Sequence, residues 1–261
     1  MASRDPTAPA TAGTAKEVPL QAVQAHRRAG GARAAGDRGR PLSDQCGEAN
    51  PPYPDGGPPI PKASMTAIVG ITDGRTVVIA GDSAGVGGGV TQPRLDAKVF
   101  INGPYVIGYT SSFRMGQILR YAFKAPVPPE DDEGLHAFMC TGFINSVREG
   151  LKDGGWASKN NEQEEGGSFL VGVRGRLFEI GEDYQVGELA DGYSAVGCGA
   201  EIALGALHAT GDTGMSLEAR ATAALEAAAH FSTGVRPPFT IVGTTKSATD
   251  GHPGSEDIPP S

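Results

Sequence analysis

The residues most open to a chemical reading lie in RTVVIAGDSAGVGGG, where Gly81-Asp82-Ser83-Ala84-Gly85 fits the Gly-x-Ser-x-Gly pattern of hydrolases. In such enzymes a serine on a sharp strand-to-helix turn attacks a carbonyl carbon. That chemistry asks for a helix directly after the serine and a histidine base within reach. Ser83 is followed by AGVGGGVTQP, whose four glycines and closing proline cannot sustain a helix. No histidine lies between His26 and His136, and no His-Gly-Gly-Gly segment stands upstream to bind an oxyanion. Ser83 is therefore not expected to be the nucleophile, and GDSAG is expected to matter through another of its residues. The three cysteines, Cys46, Cys140 and Cys198, are odd in number and form no CxxC pair. They predict neither a zinc site nor a disulfide framework, but buried, unpaired thiols. No metal and no cofactor is expected.

Positioning any such site falls to the elements around it. TAIVGIT (66–72) and RTVVIAGD (75–82) are β-branched runs split by Asp73-Gly74, a hairpin signal, and AKVFING (97–103) and PYVIGYT (104–110) repeat the arrangement around Asn102-Gly103. From Ser112 the spacing turns helical, with Met115, Ile118, Leu119, Ala122 and Phe123 on one stripe, and a second helix is predicted over 135–151. Strands follow at 168–175, 176–182, 183–189 and 193–199, then helices at 200–209 and 216–230, and a closing strand at 238–245. This order is not the βαβ alternation of a parallel sheet. It predicts an α+β fold, a four-layer αββα sandwich of two antiparallel sheets with helices outside, whose doubly covered strands explain apolar runs such as VVIAG.

Residues 1–65 are different in kind, rich in Ala, Gly, Pro and Arg and ending in PPYPDGGPPIPKASM. Such a segment buries too little apolar surface to offset its ordering entropy and is expected to be disordered, as is the tail 247–261. The first 64 residues carry eight basic and six acidic side chains, leaving fourteen basic against twenty-four acidic beyond them. An acidic body argues against nucleic-acid binding. No run reaches the length of a membrane span, and Arg27-Arg28 is not followed by an apolar export segment, so a cytoplasmic protein is expected.

The stretch SMTAIVGITDGRTVVIAGDSAG, followed by Lys98-Val99-Phe100, resembles the β-type subunits of proteasomes and the peptidase subunit of the bacterial ATP-dependent two-component protease, both N-terminal-nucleophile hydrolases. The resemblance rests on Thr66 opening the first strand, with Asp82 and Lys98 respectively 16 and 32 residues beyond it, and extends more weakly over residues 66–245. It implies that Thr66, once it is the chain's own N-terminus, attacks a peptide carbonyl through its hydroxyl while its α-amine, with a pKa of about 7.7–8.0, takes the proton. Lys98 on a neighbouring strand would then favour the alkoxide, and Asp82 would hold the Lys98 ammonium in place.

The family's oxyanion turn corresponds to Thr110-Ser111-Ser112, which assigns the amide donor to Ser111, and its Gly-Ser-Gly appears as Gly197-Cys198-Gly199. A supporting aspartate and serine before the last strand align loosely with His230 and Thr233. The resemblance implies a threonine peptidase acting on peptide or unfolded protein, a homo-oligomeric ring and an unfoldase ATPase as partner. An amidase for a small amide, or an inactive ring or scaffold protein, would share the same residues. Residues 1–65 are then either a propeptide cut at Met65-Thr66 or an over-extended start.

Overall fold

The computed structural model describes residues 65–246 apart from 88, 89, 157, 161 and 162, so the expectations for 1–64 and for the tail 247–261 lie outside the described residues. Strands β1 (Ile68–Thr72), β2 (Thr76–Gly81), β12 (Tyr193–Val196) and β13 (Thr240–Thr245) form one sheet, in the order β12-β1-β2-β13. The second sheet runs β11-β10-β9-β6-β5, from β5 (Val99–Asn102), β6 (Tyr105–Tyr109), β9 (Phe169–Val173), β10 (Arg176–Ile180) and β11 (Val186–Glu188). Every pairing in both is antiparallel. Two hairpins were not anticipated: β3 (Ala84–Gly87) with β4 (Val90–Pro93), and β7 (Ser158–Asn160) with β8 (Gln163–Glu165).

Period-two alternation sorts the side chains into layers. Along β1 and β2, Ile68, Val77 and Ile79 face the other sheet, whereas Val69, Ile71, Val78 and Ala80 face outward, against α4 (Ala200–Ala209) and α5 (Leu217–Phe231). On the second sheet Val106 and Leu170 point inward, while Tyr105, Ile107, Tyr109, Phe169 and Val171 point to the other helical layer. That layer is α1 (Phe113–Tyr121) and a longer helical stretch made of α2 (Leu135–Phe138), a π-helical turn (Met139–Phe143) and α3 (Ile144–Asp153). The αββα sandwich is thus built as its sequence pattern requires.

The two inner faces mesh because glycine alternates with large aliphatics. A Cβ on Gly108 would lie 2.6 Å from the Cγ2 atoms of both Ile68 and Ile79. One on Gly172 would lie 2.5 Å from Val77 Cγ1. These positions are holes for the isoleucine and valine side chains of the facing sheet. Each such apolar side chain contributes roughly 1.5–3 kcal/mol when fully buried, so this seam outweighs any single ion pair in holding the sheets together.

Candidate active site

Thr66 stands just before β1 and Asp82 just after β2, and the β1–β2 pairing Ile68↔Gly81 brings them to the same end of one sheet. Lys98 precedes β5, which belongs to the other sheet. The expectation that Lys98 would come from a strand beside Thr66 is corrected here, since the site spans both sheets. A spacing of 32 residues carries no information about which sheet a strand joins, because that is decided by packing across the seam.

The three side chains meet. Lys98 Nζ donates to Asp82 Oδ1 at 2.7 Å and also to Thr66 Oγ1, and Thr66 Oγ1 in turn donates to Asp82 Oδ1 at 2.8 Å. All are buried, with Thr66 3%, Asp82 2% and Lys98 3% exposed. Asp82 receives three further donors from the backbone: Ala67 N–H on Oδ1 at 3.1 Å, and Ala84 and Arg236 N–H on Oδ2 at 2.8 and 3.2 Å. A buried carboxylate so surrounded cannot move without leaving several donors unpaired, each costly out of water. Burial pushes the Lys98 ammonium below the ordinary lysine range, more strongly than the neighbouring Asp82 carboxylate raises it. A desolvated cation on a threonine hydroxyl stabilises negative charge on that oxygen far more than it would in water.

Around this centre the chain is close-fitted. Gly199 N–H donates to the Thr66 carbonyl at 3.2 Å, and a side chain on Gly197, whose φ is +101°, would run into that same carbonyl. These two glycines flank Cys198, which is exposed, as is Cys140, so the expectation of buried thiols is corrected for both, while Cys46 lies outside the described residues. Cys198 Sγ lies 3.3 Å from Ser232 Oγ. The loose alignment to His230 and Thr233 is therefore off: both are exposed, and His230 packs edge-on to Phe231, one residue before Ser232. The signal missed was the serine itself, one position away from the chosen threonine.

Ser111 sits at φ +68° between β6 and α1, a left-handed backbone that costs a non-glycine residue on the order of 1 kcal/mol. Its Oγ accepts from Ser168 N–H at 3.1 Å, which holds the turn in that shape. Ser112 then caps α1, its side chain accepting from Arg114 N–H, and this aims Phe113 at the site, with its ring centroid 5.8 Å from Lys98 Nζ. Ser83, not expected to be the nucleophile, is 9% exposed and structural. Its N–H and Oγ both donate to the Arg236 carbonyl, at 2.9 and 3.2 Å, pinning the loop whose next contact is Arg236 N–H on Asp82. The hollow at the opposite end of the sandwich, about 440 Å³ and lined by Thr72–Gly74, Gly175–Leu177 and Glu188–Gly192, does not touch these residues.

Two stacked antiparallel sheets between helical layers are the fold of proteasome-type subunits, and Thr66, Asp82 and Lys98 meet at one end of it. Among solved structures the chain is similar to Thiobacillus denitrificans BPH, at 22% identity over 70% of this chain and 100% of that one, with a TM-score of 0.59. The same protein in complex with epoxomicin matches at 21% identity over the same shares, with a TM-score of 0.59. Eukaryotic HslV from Trypanosoma brucei matches at 23% identity over 69% of this chain and 99% of that one, with a TM-score of 0.52. No family model and no curated protein sequence matches the chain.

Proposed function

We propose that the protein is a threonine-type endopeptidase whose nucleophile is the Thr66 hydroxyl, made competent by cleavage of the Met65–Thr66 bond. The observation that carries this reading is the buried contact of Thr66 Oγ1 with both Lys98 and Asp82. While Thr66 lies inside the chain its nitrogen is an amide, with no basic lone pair. Freed, it becomes an α-amine that takes the hydroxyl proton as Oγ1 bonds to the substrate's carbonyl carbon. The C–N bond then breaks, the departing amine receives that proton, and water hydrolyses the Thr66 ester, with Lys98 facing the negative charge that develops on Oγ1 as it attacks and again as it leaves. Ser111 N–H serves as the oxyanion donor and Cys198, with Ser232, flanks the new α-amine. Peptide or unfolded protein is the substrate, a homo-oligomeric ring the working form, and an unfoldase ATPase its partner.

The test is the mature N-terminus. Intact mass and terminal sequencing of the active fraction should give a chain beginning at Thr66, and epoxomicin, bound in one of the similar structures, should add its mass to the Thr66 peptide. Robust hydrolysis by a chain that still carries residues 1–65 would overturn the assignment.

A further inference from the structure

Beyond the cluster itself, one charged side chain is built into the wall next to it. Arg94 lies just after β4 and is held from four sides. Its N–H donates to the Ser83 carbonyl at 2.8 Å, and its stem lies on Gly85, where a Cβ would come within 2.5 Å of Arg94 Cδ and 2.8 Å of Cγ. Its guanidinium stacks on Phe113 with Cζ 3.9 Å from the ring centroid, and its Nε and Nη2 donate to Asp96 at 2.7 and 2.6 Å. Phe113 is the ring that also approaches Lys98 Nζ, so the guanidinium sits one aromatic ring beyond the ammonium that touches Thr66. Arg94 keeps 41% of its side chain exposed, and its Nη1 makes no hydrogen bond among the described residues.

We infer that Arg94 is a specificity-determining residue of the cleft beside Thr66, and that it selects peptides with a carboxylate side chain next to the bond that is cut. The inference rests on the reading of that cleft as the substrate site. Its physical ground is a planar, preorganised donor with a free edge, which suits a carboxylate. A basic side chain would have Asp96 as its nearby partner, yet both Asp96 oxygens are already occupied by Arg94. An apolar side chain would find one face of the Phe113 ring already covered by the guanidinium. The surroundings point the same way: Arg94, Lys98 and Arg120 outnumber Asp82 and Asp96 here, although the chain beyond residue 64 is strongly acidic.

The test uses the protein processed to begin at Thr66, with paired fluorogenic peptides that differ only in Glu or Gln before the scissile bond, and with reduced-bond analogues of the same pair followed by fluorescence anisotropy. The Glu member should be favoured about tenfold in kcat/KM and in binding, equivalent to about 1.4 kcal/mol. Arg94→Gln should bring the ratio close to one, and 1 M salt should weaken it. Arg148→Gln, on α3 and paired with Glu164, is the charge control and should leave the ratio unchanged. A ratio near one in the wild type, or one that survives Arg94→Gln, overturns the inference even if the peptides are cleaved at Thr66. An Arg94-dependent preference among the reduced-bond analogues, without cleavage of any peptide, would uphold it and overturn the threonine mechanism instead. Failure to bind any of them would overturn both.

Discussion

The two ends of the sandwich each carry a cluster of charges, and they are built on opposite terms. At the Thr66 end the Lys98–Asp82 pair is 3% and 0% exposed, and five donors converge on one carboxylate. At the far end, where β1 turns into β2, Asp132 is approached by Lys246 and by Arg174 Nη2 at 3.3 Å, and Arg176 pairs with Glu188 at 2.5 Å, with Asp132 left 45% exposed. Water screens the second cluster and is excluded from the first. An exposed pair contributes about 0–1 kcal/mol, whereas removing one partner of a buried pair costs about 3–5 kcal/mol because the other charge is stranded. The buried pair is thus poor as a stability device, and under the proposed mechanism its worth lies in the field it sets on Thr66.

The sharpest way to break this comparison is to remove the cation. Lys98→Ala should lower kcat by at least about 10³-fold, with Asp82→Asn acting in the same direction less severely. Because either change strands a buried polar partner, the double variant Asp82→Asn/Lys98→Met is the informative control: it should recover stability by chemical denaturation while remaining inactive. Near-wild-type turnover by Lys98→Ala, with its circular dichroism intact, would sink the mechanism.

A titration separates the two ends as well. Burial lowers the Lys98 pKa in the folded protein, so between that value and the ordinary 10.5 the unfolded chain holds a proton the folded chain does not. Its contribution to stability is present above 10.5 and is lost as pH falls through the lowered value. If the charged form serves catalysis, the rate should fall on the alkaline side beginning below 10.5, and Lys98→Arg, if it retains any turnover, should shift that limb upward. An alkaline limb at or above 10.5 in the wild type would count against the desolvated lysine.

A smaller effect is expected from Ser83, whose hydroxyl makes its one hydrogen bond among the described residues to the Arg236 carbonyl. Ser83→Ala keeps the backbone N–H bond and loses the 3.2 Å hydroxyl bond, so kcat/KM should drop no more than about tenfold, as one neutral hydrogen bond allows. A fluorophosphonate adduct on Ser83, or near-total loss of activity, would restore the serine as the reacting group.

How far the sequence reached depends on the kind of information each feature needs. The αββα order was readable because strand runs, hairpin turns and helical stripes are local, and the Thr66, Asp82 and Lys98 spacing was readable through resemblance. What escaped depended on packing. Nothing in residues 84–93 or 158–165 reads as a strand, since the first is glycine-rich and the second charged, and each pairs only with its own neighbour. The sheet to which Lys98 belongs is set across the seam by Gly108 and Gly172, and the partner of Cys198 by a one-residue phase at the end of α5. The stacking of Arg94 on Phe113 joins residues from a hairpin and a helix that no periodicity links.

The smallest effect should come from the exposed end, and there it is the absence of change that matters. The Lys246 hydrogen bond holds the Asp132 carboxyl below the usual carboxylate range. Its stabilisation is therefore present above the ordinary value of 3.8 and is lost as pH falls through the lower folded value, an acid-side dependence where the buried end shows an alkaline one. Asp132→Asn should remove that acid-side dependence, lower stability by less than about 1 kcal/mol at neutral pH, and leave peptide hydrolysis unchanged, since the carboxylate reaches Arg174 and Lys246 and nothing at Thr66. Denaturation midpoints at about pH 3, below the ordinary 3.8, and at pH 7, alongside kcat/KM for one peptide at neutral pH, decide it. A loss of several kcal/mol, or of turnover, would mean that the two ends are coupled through the sheets and that burial alone does not separate a catalytic ion pair from an ornamental one.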